Sequence, residues 1–118
     1  MKKHFLALLA ALLFFPALVT ATQMKLSDLN KICASTDNGD KNACRFYILG
    51  VTEGTSVAAG VANDKTHFCI PEGVSSTDMV TIVKRAISKD LATFPNDKGM
   101  PAVSFVAAVM MKAYPCKN

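Results

Sequence analysis

The stretch Cys44-Arg45-Phe46-Tyr47-Ile48-Leu49-Gly50 begins the segment that decides the fold of this chain. It opens an apolar run that continues to about residue 61, and Glu53 is the only charged residue from position 46 to that end. A helix with so few charges is typically covered on more than one side, by neighbouring helices or by a second chain. The sequence therefore predicts a central helix against which the rest of the chain packs.

One face of this predicted helix consists of small and apolar residues, and a narrow polar stripe lies opposite. At 100° per residue the first face holds Ala43, Tyr47, Gly50, Gly54, Val57 and Val61, and the stripe holds Lys41, Arg45, Thr52 and Ser56. Gly50 and Gly54 lie one above the other, which removes two Cβ atoms and lets a neighbouring backbone come close. The same spacing marks dimerising helices mainly inside membranes. For this chain we expect the glycine face to form a tight helix crossing in the core.

Three further helices are expected on either side of the central one. Residues 24–35 predict a short first helix, which a polar loop at 36–42 follows. Residues 75–94 predict an amphipathic third helix with a serine cap, and residues 101–114 predict a fourth that begins and ends beside a proline. The alternation of apolar and polar residues that indicates hairpin strands is absent. We expect an all-α fold, a small bundle of about four helices.

The first 21 residues have the pattern of a secretory signal peptide. A basic start precedes an unbroken apolar run, and Val19-Thr20-Ala21 has the small-residue spacing that signal peptidase accepts. A membrane anchor is the alternative, but the run has 15 residues, fewer than the roughly 20 that a span requires, and Pro16 interrupts it. We expect residues 1–21 to be a cleaved signal peptide and residues 22–118 to be a single helical domain in the periplasm.

Charge and size argue against several kinds of partner. Cleavage would leave 97 of the 118 residues and lower the formal net charge from +4 to +2, because Lys2 and Lys3 leave with the signal peptide. The remaining chain has no basic run and no interleaving of basic with aromatic residues. We expect no nucleic acid partner and, after cleavage, no membrane contact.

All four cysteines, Cys33, Cys44, Cys69 and Cys116, lie in the predicted mature chain. An even number of cysteines in an exported protein indicates disulfides, and four cysteines allow three pairings. We favour Cys33 with Cys44, which fall at the facing ends of two consecutive helices, and then Cys69 with Cys116. The closed loops would stabilise the fold by roughly 3 and 4 kcal/mol. A zinc site is the alternative, but the chain has no Cys-x-x-Cys pair and only one histidine after cleavage.

Candidates for catalysis are few. His67 is the only histidine of the mature chain, and a lone histidine is more often structural or exposed than catalytic. Glu53 has no evident carboxylate partner for acid-base chemistry. Phosphate-binding glycine loops, metal motifs and nucleophile elbows are absent. We expect a binding protein and not an enzyme, with no catalytic residue, cofactor or metal.

Several short motifs, taken in order, resemble one known family. They are Cys33 spaced by ten residues from Cys44, then Phe46-Tyr47-Ile48-Leu49-Gly50, Cys69-Ile70-Pro71, Phe94-Pro95 and the terminal Tyr114-Pro115-Cys116. Together they look like the Tai/Rap family, which are immunity proteins against type VI secretion amidase effectors. The resemblance covers nearly the whole mature chain. Gly99-Met100-Pro101 departs from the family pattern at the start of the fourth helix.

The resemblance implies a helical periplasmic protein, often a homodimer, that binds a cysteine-histidine peptidoglycan amidase and blocks its active-site groove. Inhibitory contacts vary among family members, so we place them by hypothesis in two loops, residues 67–73 and 96–100, that are too polar or irregular for a core. The residues expected to contact the partner are His67, Phe68, Glu72, Asn96, Asp97 and Lys98.

Two other functions are compatible with the sequence. The first is a small periplasmic stress chaperone that binds unfolded clients through its apolar helices, and such a protein should bind a hydrophobic dye at about pH 3. The second is an enzyme that uses Glu53 or His67, which full function after substitution of both residues would exclude.

Overall fold

The computed structural model of this chain describes residues 22–62 and 68–117. The predicted signal peptide and His67 lie outside the described residues. Within those residues the chain forms four α-helices, one short 3₁₀ helix and isolated bridges in place of strands. The elements are α1 (Leu26–Ala34), α2 (Asn38–Ala62), α3 (Ser76–Thr93), the 3₁₀ segment (Pro95–Gly99) and α4 (Ala102–Ala113). The predicted all-α fold is confirmed.

The core lies where the four helices meet. Its largest fully buried side chains are Leu26, Leu29, Ile48, Ile87, Met110, Val83, Val106 and Cys44. Burial of each such aliphatic side chain contributes about 1.5 to 3 kcal/mol. Helix α2 packs against α1, α3 and α4, and each of the other helices likewise packs against the remaining three.

Helix α2 begins earlier than the sequence predicted. Residues 38–42, expected to belong to a polar loop, form its first turn. The Asp37 side chain caps that turn, since its Oδ1 accepts a hydrogen bond from the Asp40 amide at 3.0 Å. The Asp37 carbonyl accepts another from the Lys41 amide, also at 3.0 Å. Aspartate and asparagine favour helix starts as well as turns, and here they start a helix.

The rotation of α2 about its axis also differs from the prediction. Its buried residues are Cys44, Ile48, Thr52 and Ala59. Gly50 and Gly54 face outward, and a Cβ atom added at either would meet no other atom within 4 Å. The expected glycine crossing in the core is therefore wrong, because the core packs against the side of α2 that holds Cys44, Ile48 and Thr52.

Two residues explain this rotation. Cys44 is disulfide-bonded to Cys33 of α1, with Cα atoms 5.0 Å apart, so its side of α2 must face α1. The Thr52 hydroxyl donates a hydrogen bond to the Ile48 carbonyl at 2.8 Å, so this polar side chain is buried with its hydrogen bond made. Of the predicted polar stripe, Thr52 is buried, and Lys41, Arg45 and Ser56 are exposed.

The start of α3 agrees with the predicted serine cap. Ser75 is the N-cap, and its Oγ accepts a hydrogen bond from the Asp78 amide at 3.1 Å. The Asp78 carboxylate in turn accepts hydrogen bonds from the Ser75 amide at 2.9 Å and the Ser75 hydroxyl at 2.7 Å. These hydrogen bonds hold the pKa of Asp78 below its usual value. The pair forms a capping box.

Backbone hydrogen bonds connect both ends of helix α4 to other segments of the chain. At its start, the Ala102 amide donates to the Met24 carbonyl at 2.9 Å. At its end, the Cys69 amide donates to the Tyr114 carbonyl at 2.8 Å, beside the second disulfide, Cys69–Cys116, whose Cα atoms are 4.8 Å apart. Both predicted disulfide pairs are confirmed.

Candidate functional site

The first predicted contact loop is residues 67–73, and its described part, residues 68–73, is anchored at one end. Phe68 is only 3% exposed and pairs with Pro115 in an isolated bridge, so its ring belongs to the core. Beyond it, Glu72 is exposed, and Gly73 has a φ of +89°, which L side chains rarely adopt. The buried phenylalanine and the disulfide of Cys69 hold this loop, and Glu72 is the predicted contact residue that it presents to solvent.

The second predicted contact loop is the 3₁₀ segment, and it is more ordered than the polar turn that the sequence predicted. The Asp97 amide donates to the Phe94 carbonyl, and the Met100 amide donates to the Asp97 carbonyl, both at 3.0 Å. Asn96 and Lys98 are exposed and Asp97 is half-buried. Phe94, immediately before the segment, is 57% exposed. This loop therefore presents polar side chains beside an exposed aromatic ring.

The fold keeps these two loops apart. The first precedes α3 and the second follows it, and an 18-residue helix is about 27 Å long. Glu72 and Lys98 therefore cannot belong to one small contact site on a single chain. Which loop contacts a partner stays a prediction.

Asp90, which the sequence analysis did not single out, adds a charged group next to the second loop. Its Oδ2 is shielded from solvent and has no hydrogen-bond partner. Desolvation, followed by the nearby Asp97 carboxylate, raises the pKa of Asp90. The sequence held a signal, because Asp90 falls three residues after buried Ile87 and four after Ala86, in the apolar stripe of α3. A carboxylate at such a position is expected to be partly desolvated.

The outward side of α2 is an exposed apolar surface. We call it the α2 outer face and define it by Phe46, Tyr47, Gly50, Gly54, Val57 and Val61. Phe46 is 65% exposed, Val57 66% and Val61 86%. A shallow groove of about 640 Å³ runs along this face and reaches Val103 of α4. Contiguous apolar surface of this kind commonly marks an interaction site.

Glu53 is exposed on α2. In residues 22–62 and 68–117, no group of three or more His, Cys, Asp or Glu side chains is placed to hold a metal ion. No helix in the same part of the chain combines the length and apolar character that a bilayer crossing needs. The surfaces described above are suited to binding another molecule.

Comparison with known proteins identifies a family. The family model of Rap1a immunity proteins matches residues 25–116, which is most of the chain and includes all four helices and both disulfides. Searches of curated proteins and of solved structures each gave no match. The resemblance to immunity proteins that the cysteine order and the short motifs indicated is confirmed, and the chain belongs to the Rap1a immunity protein family.

Proposed function

We propose that this protein binds a peptidoglycan amidase delivered by type VI secretion and inhibits it in the periplasm. The observation that carries the proposal is the family match over residues 25–116. Immunity proteins act against a secreted effector, and the motifs that resemble the Tai/Rap family favour an amidase as that effector. In this proposal the protein has no enzymatic activity of its own and protects the cell wall by occupying the amidase.

The fold is suited to this task because its exposed loops are held in place before binding. Association loses less conformational entropy when the contact residues are already ordered. The disulfide of Cys69 fastens the first loop, and backbone hydrogen bonds fasten the second. Cross-linked helices behind these loops would keep them rigid when they meet the amidase.

The periplasmic location is supported by the cysteines. All four are paired, and disulfides persist in oxidising compartments outside the cytoplasm. The apolar run at the start of the sequence supplies the pattern of an export signal. We infer that cleavage after Ala21 releases the mature chain where the effector acts on peptidoglycan.

A homodimer that joins two α2 outer faces is part of the proposal. This face has no charged residue among its six defining positions, so two copies can meet without burying a charge. Gly50 and Gly54 have open space where a Cβ would stand, which lets a second helix approach closely. A two-fold axis through this face would place the same residues of both copies in contact.

The experiment that tests the proposed contacts uses the oxidised chain of residues 22–118 and a panel of purified type VI amidases. Hydrolysis of peptidoglycan fragments is measured with rising concentrations of wild-type protein, Glu72→Ala, and Asn96→Ala/Lys98→Ala. We expect one of the two loop variants to need at least ten times more protein for half inhibition. Its Tm should stay unchanged, because exposed side chains contribute within about 0.5 kcal/mol. If both variants inhibit the amidase as well as wild-type protein does, neither loop contacts the amidase.

A further inference from the structure

A groove between α3 and α4 forms a surface separate from the α2 outer face. The α3 residues that line it lie between Ile82 and Thr93 and share one face of that helix, since they recur every 3 or 4 positions. The α4 residues that line it lie between Phe105 and Ala113 and recur at the same spacing. Two adjoining cavities of about 390 and 240 Å³ share Ala86, Lys89, Val109 and Lys112. The cavities are therefore parts of one groove, and its α3 wall is about 17 Å long.

The groove combines apolar walls with cations. Three cationic groups border it, those of Arg85 and Lys89 on α3 and Lys112 on α4. Within residues 22–62 and 68–117, none of the three makes a side-chain hydrogen bond or an ion pair. Asp90 is the only acidic residue among the groove residues, so the groove carries a net charge of +2. Its charge favours a ligand that carries carboxylates.

One end of the groove adjoins the 3₁₀ segment. There Phe94 is 57% exposed, and Phe105 of α4 lies beneath the same cavity. The buried Oδ2 of Asp90, which lacks a hydrogen-bond partner, lies at this end too. That oxygen is shielded from solvent, so an occupant of the groove would not contact it directly. The groove and the second loop therefore form a continuous surface.

The shape of the groove favours a peptide segment as its occupant. It is long and open, whereas small-molecule sites enclose most of their ligand. Two helices with apolar side chains between them form the kind of groove that receives an amphipathic helix. A second copy of this chain is disfavoured, because two identical cationic grooves would repel each other.

We propose that the groove between α3 and α4 binds an amphipathic segment of the effector whose apolar side chains enter the groove and whose carboxylates pair with Arg85, Lys89 and Lys112. This inference rests on the proposed function, because it names the effector as the source of the segment. It places the effector contact along α3 as well as on the loop that follows it.

The groove can be tested without an effector. The probe is a fluorescein-labelled peptide of three Leu-Glu-Glu-Leu repeats, which as a helix is about 18 Å long and matches the groove. Fluorescence anisotropy is measured at low salt, where screening is weak. We expect this peptide to bind at least tenfold more tightly than its Leu-Lys-Lys-Leu counterpart. Equal binding of the two peptides, or no binding of either, would overturn the assignment of the groove.

Variants then connect the groove to the effector. Lys89→Glu/Lys112→Glu reverses two groove charges, and Lys84→Glu is a matched control on α3 outside the groove. We expect the double variant to lose at least tenfold in peptide affinity and in amidase inhibition, and the control to match wild type in both. If wild-type protein inhibits an amidase and the double variant inhibits it equally, the inference is wrong and the proposed function stands. If wild-type protein inhibits no amidase, the proposed function is wrong, and an amidase effector is not the source of the segment that the groove binds.

Discussion

Single residues set the orientation of α2. Cys44 turns toward α1 through its disulfide, and Thr52 follows on the same side with its hydroxyl bonded to the helix backbone. The glycines of the opposite side are thereby directed outward. The apolar pattern of α2 predicts a helix, but residue types alone do not reveal which side of it the core covers. The disulfide pairing, which the sequence did predict, contained that information.

The ionisation of Asp90 should make the stability of the protein depend on pH. Its pKa is raised in the folded protein, so the folded state favours the protonated carboxyl. Protonated Asp90 therefore stabilises the fold at pH values below 3.8, the ordinary pKa of an aspartate. This contribution is lost as the pH rises through the folded-state pKa. At neutral pH the ionised group is unfavourable. Asp90→Asn should therefore raise the Tm at pH 7, and the gain should shrink toward pH 3.5.

Thermal unfolding at both pH values checks this prediction. Glu53→Gln is the matched control, because it removes one negative charge from an exposed position of α2. Its Tm should follow that of the wild type at each pH. A lower Tm for Asp90→Asn at pH 7 would mean that the carboxylate forms a stabilising contact, and the account of its desolvation would be wrong.

At the scale of elements, local chemistry predicts helix caps well and loop lengths poorly. The serine cap of α3 and the prolines that flank α4 lie as expected, because each acts through its immediate neighbours. The polar loop before α2 is shorter than expected, because Asp37 has the chemistry of a cap as well as of a turn. The exposed aromatic ring and the desolvated Asp90 at the second loop depend on how α3 and α4 pack. The periodicity of one helix alone does not describe that packing.

The second disulfide should hold the start of α3 close to the end of α4. Cys69 and Cys116 are 47 residues apart in sequence, and closing a loop of this length stabilises a fold by about 4 kcal/mol in the chain-entropy model. Denaturant unfolding of Cys69→Ser/Cys116→Ser should show a loss of a few kcal/mol. Cys33→Ser/Cys44→Ser, which opens an 11-residue separation, should lose less. The opposite order would contradict the chain-entropy explanation.

At the scale of the whole molecule, the described surface presents two separate apolar regions of different charge. The α2 outer face is uncharged, and the α3–α4 groove is bordered by cations. Val103 of α4 lines the groove on the α2 outer face, and other residues of α4 line the α3–α4 groove. The protein could therefore form a dimer through one region and hold an effector at the other.

The dimer is tested by sedimentation equilibrium. We expect wild-type protein to be dimeric at tens of micromolar and Gly54→Leu to be monomeric, because a leucine there would hold the second helix away. Gly60→Leu is the matched control, since Gly60 is also a helical glycine with no atom within 4 Å of an added Cβ, but it lies on another side of α2. The control should stay dimeric. A monomeric wild type, or a dimeric Gly54→Leu, would exclude this interface.

The proposed protection of a cell from a type VI amidase is tested by survival. A bacterium is made to export each amidase of a panel into its own periplasm, with or without the full 118-residue chain. We expect lysis without the chain, survival with it for one amidase, and lysis again when residues 1–21 are deleted from it. Lysis by every amidase despite the full chain would contradict immunity. Binding of a hydrophobic dye and of unfolded proteins in acid would then favour a chaperone.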